Sequence, residues 1–113
     1  MAKNTELMEL IRNTIDINKG SDITVIDMEG KADFADYMII ATGNSGRQCN
    51  ALSRYVEDEL RKTGFKETLI SGKTNGDWVA MDCGDVVVHL FRQEVREFYD
   101  LEKLWLDPPK ISE

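Results

Sequence analysis

The stretch from Gly76 to Tyr99 constrains the fold more than any other. Two short, largely apolar runs flank Cys83-Gly84 and lead into a helical pattern, so the segment reads as strand, tight turn, strand and helix start. With Cys83-Gly84 as a two-residue loop, Gly84 supplying a positive φ, the facing pairs are Asp82 with Asp85, Met81 with Val86, Ala80 with Val87, Val79 with Val88, and Trp78 with His89. Facing residues share one side of a sheet and successive residues alternate. Val79, Met81, Val86, Val88 and Leu90 therefore make a wholly apolar face, which must be core. The other face carries Trp78, Ala80, Asp82, Asp85, Val87 and His89, a mixture unsuited to a sealed interior. A large aromatic beside two carboxylates points to a contact surface, and a helix-covered sheet aromatic with a solvated turn is the competing reading.

A chain of 113 residues suits one domain with one core. Its net charge of −7 argues against gripping a nucleic-acid backbone, whose affinity comes from Lys and Arg on phosphates, but suits docking on a basic protein. No apolar run approaches the ~20 residues of a membrane span. The N-terminal residues lack a signal peptide's apolar segment, so a cytoplasmic location is expected. Cys49, Cys83 and the single histidine, His89, show no C-x-x-C or H-x-E spacing, so neither a metal nor a cofactor is expected and both thiols should be reduced.

Asn4 or Thr5 can cap a first helix with Glu6 and Glu9 in its first turn. Leu7, Leu10, Ile11 and Ile15 line one side of it, and Asn18-Lys19-Gly20 supplies a charge and a glycine stop. Ile23 to Met28 reads as a strand, Glu29-Gly30-Lys31 as a turn, and Asp36 to Thr42 as a strand covered on both faces, entered through the polar lead-in Ala32 to Asp36. Gly43-Asn44-Ser45-Gly46 opens a helix from about Arg47 to Thr63. Ser45 with Gln48 fits a capping box, a better account of this turn than a phosphate cradle, because no Walker or G-x-G-x-x-G pattern is present. That helix should bury Cys49, Leu52, Val56 and Leu60, expose Arg47, Arg54 and Arg61, pair Glu57 with Arg61, and end at Gly64.

Phe65 to Ile70 leads into a third, parallel strand by a strand–helix–strand crossover, and Ser71 to Gly76 loops back to the hairpin. Gln93 to Leu106 reads as a last helix burying some of Val95, Phe98, Tyr99, Leu101, Leu104 and Trp105, stopped by Asp107-Pro108-Pro109. The sum is a single α/β domain over residues 1–113, with a mixed sheet of about five strands flanked by helices and residues 107–113 as a frayed tail.

The strongest enzymatic alternative is a metal-dependent, nucleotidyltransferase-like enzyme using Asp82 and Asp85 as carboxylates, with Asp77 as an optional third and Gly43 to Ser45 as its Gly-Ser turn. It lacks an Asp-x-Asp pair, which would place two carboxylates on one face of one strand to grip Mg²⁺. No nucleophile stands beside a base either, since Ser45 serves as a cap and His89 abuts Trp78.

The segments Gly76 to Arg92, Glu94 to Tyr99 and Leu101 to Trp105 closely resemble the ribosomal silencing factor (Iojap-like) family, and Ala35 to Ser45 is similar to that family's other signature. With the leading helix, the resemblance spans essentially the whole chain. It implies a nucleotidyltransferase-like fold without catalytic aspartates, and so not an enzyme. It implies binding to the large ribosomal subunit through ribosomal protein fourteen of that subunit, blocked joining of the small subunit, and repression of translation when nutrients are scarce. A homodimer is also implied. The family's Gly-Asp-Trp-Val falls on Gly76 to Val79 and its Tyr on Tyr37. Its frequent Leu-Leu-Asp-Phe is here Ala80-Met81-Asp82-Cys83, a milder surface that alters affinity, not location. The candidate partner-binding residues are Trp78, Asp77, Asp82, Asp85, His89, Tyr37 and Asp36.

Overall fold

The computed structural model describes residues 4–30, 33–64, 68–72 and 77–100. Helix α1 (Thr5–Ile17) starts where the Asn4 side chain accepts from the Leu7 N–H at 3.3 Å, satisfying one of the amides that a helix start leaves free. It buries Ile11, Thr14 and Ile15. The stop differs from the glycine expected at Gly20. Lys19 takes the left-handed conformation, with φ of 73°. Gly20 is required for space instead, because a Cβ there would lie 2.3 Å from Ile15 Cγ2.

Five strands follow: β1 (Ser21–Asp27), β2 (Tyr37–Gly43), β3 (Leu69–Ser71), β4 (Trp78–Asp82) and β5 (Val86–Arg92). They form one mixed sheet in the order β1-β2-β5-β4-β3, in which only β2 and β5 pair in parallel. The parallel partner of β2 is thus β5. β3, expected as a third parallel strand, runs in the same direction as β2 but pairs antiparallel with β4.

The hairpin differs from its expected register by two residues. Asp82 faces Val87, Met81 faces Val88, Val79 faces Leu90 and Trp78 faces Phe91. The Cys83 N–H donates to the Val86 carbonyl at 2.9 Å, so the two-residue loop is Gly84-Asp85, with Gly84 at φ of 82°. Glycine at the first central position is what a type II′ hairpin turn requires. A slip of two preserves the faces, whereas a slip of one would exchange them. Val79, Met81, Val86, Val88 and Leu90 are accordingly fully buried in the main core, and Cys83 joins them instead of occupying the turn.

Helix α2 (Gly46–Lys62) packs with α1 on that apolar face and buries Cys49, Leu52, Ser53, Val56 and Leu60. Ser45 Oγ accepts from the Gln48 N–H at 3.1 Å, while Gln48 Oε1 accepts from the Asn44 N–H. This is the expected capping exchange, returned one residue earlier than in the usual box. Gly43 precedes the helix because a Cβ would meet Cys49 Sγ at 2.7 Å. Arg61 lies 3.6 Å from Glu57, an exposed pair of small energetic weight, and Gly64 follows the helix at φ of 90°.

On the opposite face Ile26, Met28, Met38, Ile40 and Phe91 form a second cluster, against which Trp78 and Val95 pack. The last described helix, α3 (Gln93–Tyr99), lies over this side and ends at Asp100, whose φ and ψ of 50° and 50° break the helix. Among its expected buried residues, Phe98 is instead 81% exposed and Tyr99 49% exposed, while Arg96 is buried. Leu101, Leu104, Trp105, the proline stop and the 107–113 tail lie outside the described residues, as do Lys31, Ala32, Phe65 to Glu67 and Lys73 to Gly76.

Candidate functional site

Strand alternation divides the candidate contact residues among three places. Trp78, Asp82 and His89 share the face opposite α1 and α2, and the buried Phe91 packs against Trp78 and His89. Trp78 and Asp82 stand four residues apart on β4, about 14 Å by strand rise. Asp82 is exposed, and its Oδ1 accepts from the Gly84 N–H at 3.0 Å. Because Asp82 faces Val87 rather than Asp85, the two carboxylates do not oppose each other across the hairpin.

Asp36, Tyr37 and Asp85 gather where α1 begins. The Asn4 N–H donates to Asp36 Oδ2 at 2.9 Å, and Asn4 Nδ2 donates to Asp85 Oδ2 at 3.3 Å. The Thr5 and Tyr37 hydroxyls share a hydrogen bond of 3.0 Å, and the Tyr37 ring packs against the main core. These three side chains hold α1 to the sheet. Asp77 adjoins Trp78 in sequence, yet Asp77 Oδ1 accepts from Arg92 Nε at 2.8 Å, and both charges act on the buried Cys49 thiol on the α2 side.

What the fold assembles around Trp78 is aromatic. The indole centroid lies 4.9 Å from that of Phe91 and 4.6 Å from that of Tyr99, both tilted. Its Nε1–H donates to His89 Nδ1 at 2.9 Å. Phe98 meets Tyr99 edge-on at 5.1 Å and carries the patch into solvent. Rings offset or tilted at such distances gain beyond their burial. Sequence alone does not single out Tyr99 and Phe98, because their helix is expected to bury some of its aromatic and aliphatic residues without showing which. The only local signal was that a helix begun at Gln93 places them at successive positions, so both cannot face the sheet.

Burial pushes the His89 imidazole down to about 4, which keeps it neutral near pH 7 and able to accept from the indole. The unfolded chain binds a proton at the ordinary value near 6.5, so acid favours unfolding between the two values. Between pH 6.5 and pH 4.5 His89 should cost the fold about 2 kcal/mol, which His89→Asn should remove. Denaturant titration of both proteins across that window checks this, and equal losses would refute it. Burial also raises both thiols, Cys83 to about 12 and Cys49 in the same direction, with Asp82 and Glu57 adding to the effect at Cys83. Both remain protonated thiols at neutral pH. Among the described residues, no three His, Cys, Asp or Glu side chains converge as a metal site. No helix among them is long and apolar enough to cross a membrane.

The site thus consists of an aromatic group on an acidic α/β domain, and comparisons with known proteins give that domain its family. The profile of "Ribosomal silencing factor during starvation" matches residues 2–113, and the chain belongs to that family. It is 41% identical over 99 residues to the ribosomal silencing factor RsfS of Haemophilus influenzae, covering 88% of this chain and 97% of that one. It is 37% identical over 87 residues to mouse "Mitochondrial assembly of ribosomal large subunit protein 1", covering 74% of this chain and 38% of that one. A crystal structure of a Chromobacterium violaceum protein superposes with a TM-score of 0.88 at 36% identity, covering 98% of this chain and 92% of that one. The expected five-stranded α/β fold and the expected family therefore both hold.

Proposed function

We propose that this protein binds the large ribosomal subunit through its protein fourteen, prevents the small subunit from joining, and so represses translation in the cytoplasm. The reading rests on membership of the silencing-factor family and on the name of the mouse relative, which refers to assembly of the large ribosomal subunit. The observation that carries it is the patch of Trp78, Tyr99 and Phe98, standing on a chain of net charge −7. Aromatic anchors dominate interface energies, and negative charge steers a domain toward a basic partner.

The test is sedimentation of purified subunits with the protein in excess. Joined ribosomes should diminish and the protein should travel with the large subunit. Trp78→Ala should weaken that association about 30-fold, an anchor loss of ~2 kcal/mol, with the far-ultraviolet circular dichroism unchanged. Normal joining of subunits in the presence of excess protein would overturn the reading. Unchanged binding by Trp78→Ala would place the anchor elsewhere.

A further inference from the structure

The indole of Trp78 is held by more than packing. Trp78 faces Phe91 across the β4–β5 pair, and His89 faces Ala80, so the indole and imidazole meet on the diagonal. Ala80 leaves open the space that a larger side chain would fill between them. The rings lie 5.8 Å apart by centroid, and Nε1–H reaches Nδ1 at 2.9 Å. An imidazole nitrogen that accepts from an N–H carries no proton, so the neutral ring bears its proton on Nε2. Trp78 has one hydrogen to donate, and it is already committed. Phe91 and Tyr99 restrict the ring plane, and the hydrogen bond selects one of the flipped orientations within that plane.

We propose that His89 is a positioning residue for partner docking: its Nδ1 fixes the Trp78 indole, so that this side chain offers a partner apolar contact and no hydrogen bond. The proposal rests on Trp78 being the docking anchor. It defines the matching surface on the partner as an apolar recess, without an acceptor aimed at the indole nitrogen. An anchor fixed before binding loses less rotamer freedom on docking than a mobile one.

Asparagine places an amide oxygen where Nδ1 stands, whereas glutamine carries it one methylene farther, so the two variants differ in acceptor position and little in polarity. In the protein labelled with ¹⁵N at its two tryptophans, with Trp105→Phe to leave one signal, the Trp78 indole N–H should exchange slowly in wild type and His89→Asn. In His89→Gln it should shift and exchange faster. Affinity for the large subunit should fall about 10-fold in His89→Gln and stay within about 2-fold in His89→Asn. If His89→Gln frees the indole and still binds as wild type, positioning is refuted. If both variants bind equally weakly while the indole signal is unchanged, the role of His89 is structural and the proposal is also refuted. Should Trp78→Ala itself bind normally, it is the docking reading that fails. The indole exchange rates in the free protein would still report whether His89 holds the ring.

Discussion

Phe91→Ala should lower the stability of this protein by about 4 kcal/mol, the usual range for emptying a fully buried aromatic site. For a domain of this length that is roughly a 15 °C fall in melting temperature. Phe91 sits at the crossing of two structures. It fills the second core cluster with Ile26, Met28, Met38 and Ile40, and it supports Trp78 from below. The substitution should therefore also loosen the indole, and large-subunit binding should fall even at temperatures where the protein stays folded. Phe91→Leu, which keeps most of the volume, should cost half as much or less. Thermal and denaturant unfolding of the three proteins measures this. A loss below about 1 kcal/mol for Phe91→Ala would mean that the cluster collapses around the gap, contrary to its close packing.

Arg96→Met should cost about 3 kcal/mol, chiefly by stranding acceptors. Arg96 is buried on α3, and its guanidinium donates to the Asp22 carbonyl at 2.6 Å, Thr42 Oγ1 at 2.7 Å and Thr24 Oγ1 at 3.1 Å. The register of β1 on β2 is irregular between Ser21 and Thr24, and Asp22 there has φ of 48°, an uncommon conformation for a residue other than glycine. The bulge turns a carbonyl out of the ladder, and Arg96 satisfies it. Methionine keeps much of the stem and loses every donor, so the bulge carbonyl and the Thr24 and Thr42 hydroxyls lose the hydrogen bonds that the guanidinium gave them. Arg96→Lys should recover less than half, because an ammonium cannot reproduce the guanidinium fork. Amide hydrogen exchange should show the loss as faster opening of α3 and of β1 near Asp22. Unchanged exchange in both would refute the account.

Much of the architecture was legible because burial patterns survive errors of register. Alternation alone assigns the hairpin's faces, and the observed loop, Gly84-Asp85, lies one residue beyond the expected Cys83-Gly84. That shifts the pairing by two, so every side chain kept its side. Cys83 reads as a turn residue because it adjoins Gly84, although an apolar thiol suits the core equally well and is fully buried there. The meeting of Trp78 with His89 was visible for the same reason, as a diagonal contact in place of a direct one. Other features depend on contacts distant in sequence. Nothing near Asp36 or Tyr37 announces that Asn4 and Thr5 will occupy them. The end of α3 lies at a left-handed aspartate, where local preference favours glycine, so the pattern ran on past it. The bulge at Asp22 is likewise held by an arginine 74 residues away.

The position of β5 also governs how this chain can be born. Synthesis delivers residues from the N-terminus, and early segments can fold before later ones exist. Yet β5, residues Val86–Arg92, is the central strand of the five, with β2 on one side and β4 on the other. Until it has been made, β2 has an unfilled edge and α2 has only part of the sheet to cover. The ribosome must thus deliver the chain through Arg92 before the sheet can close. The aromatic patch, which includes Phe98 and Tyr99, is completed later still. Until Tyr99 has been made, a nascent copy of this protein has no finished aromatic surface.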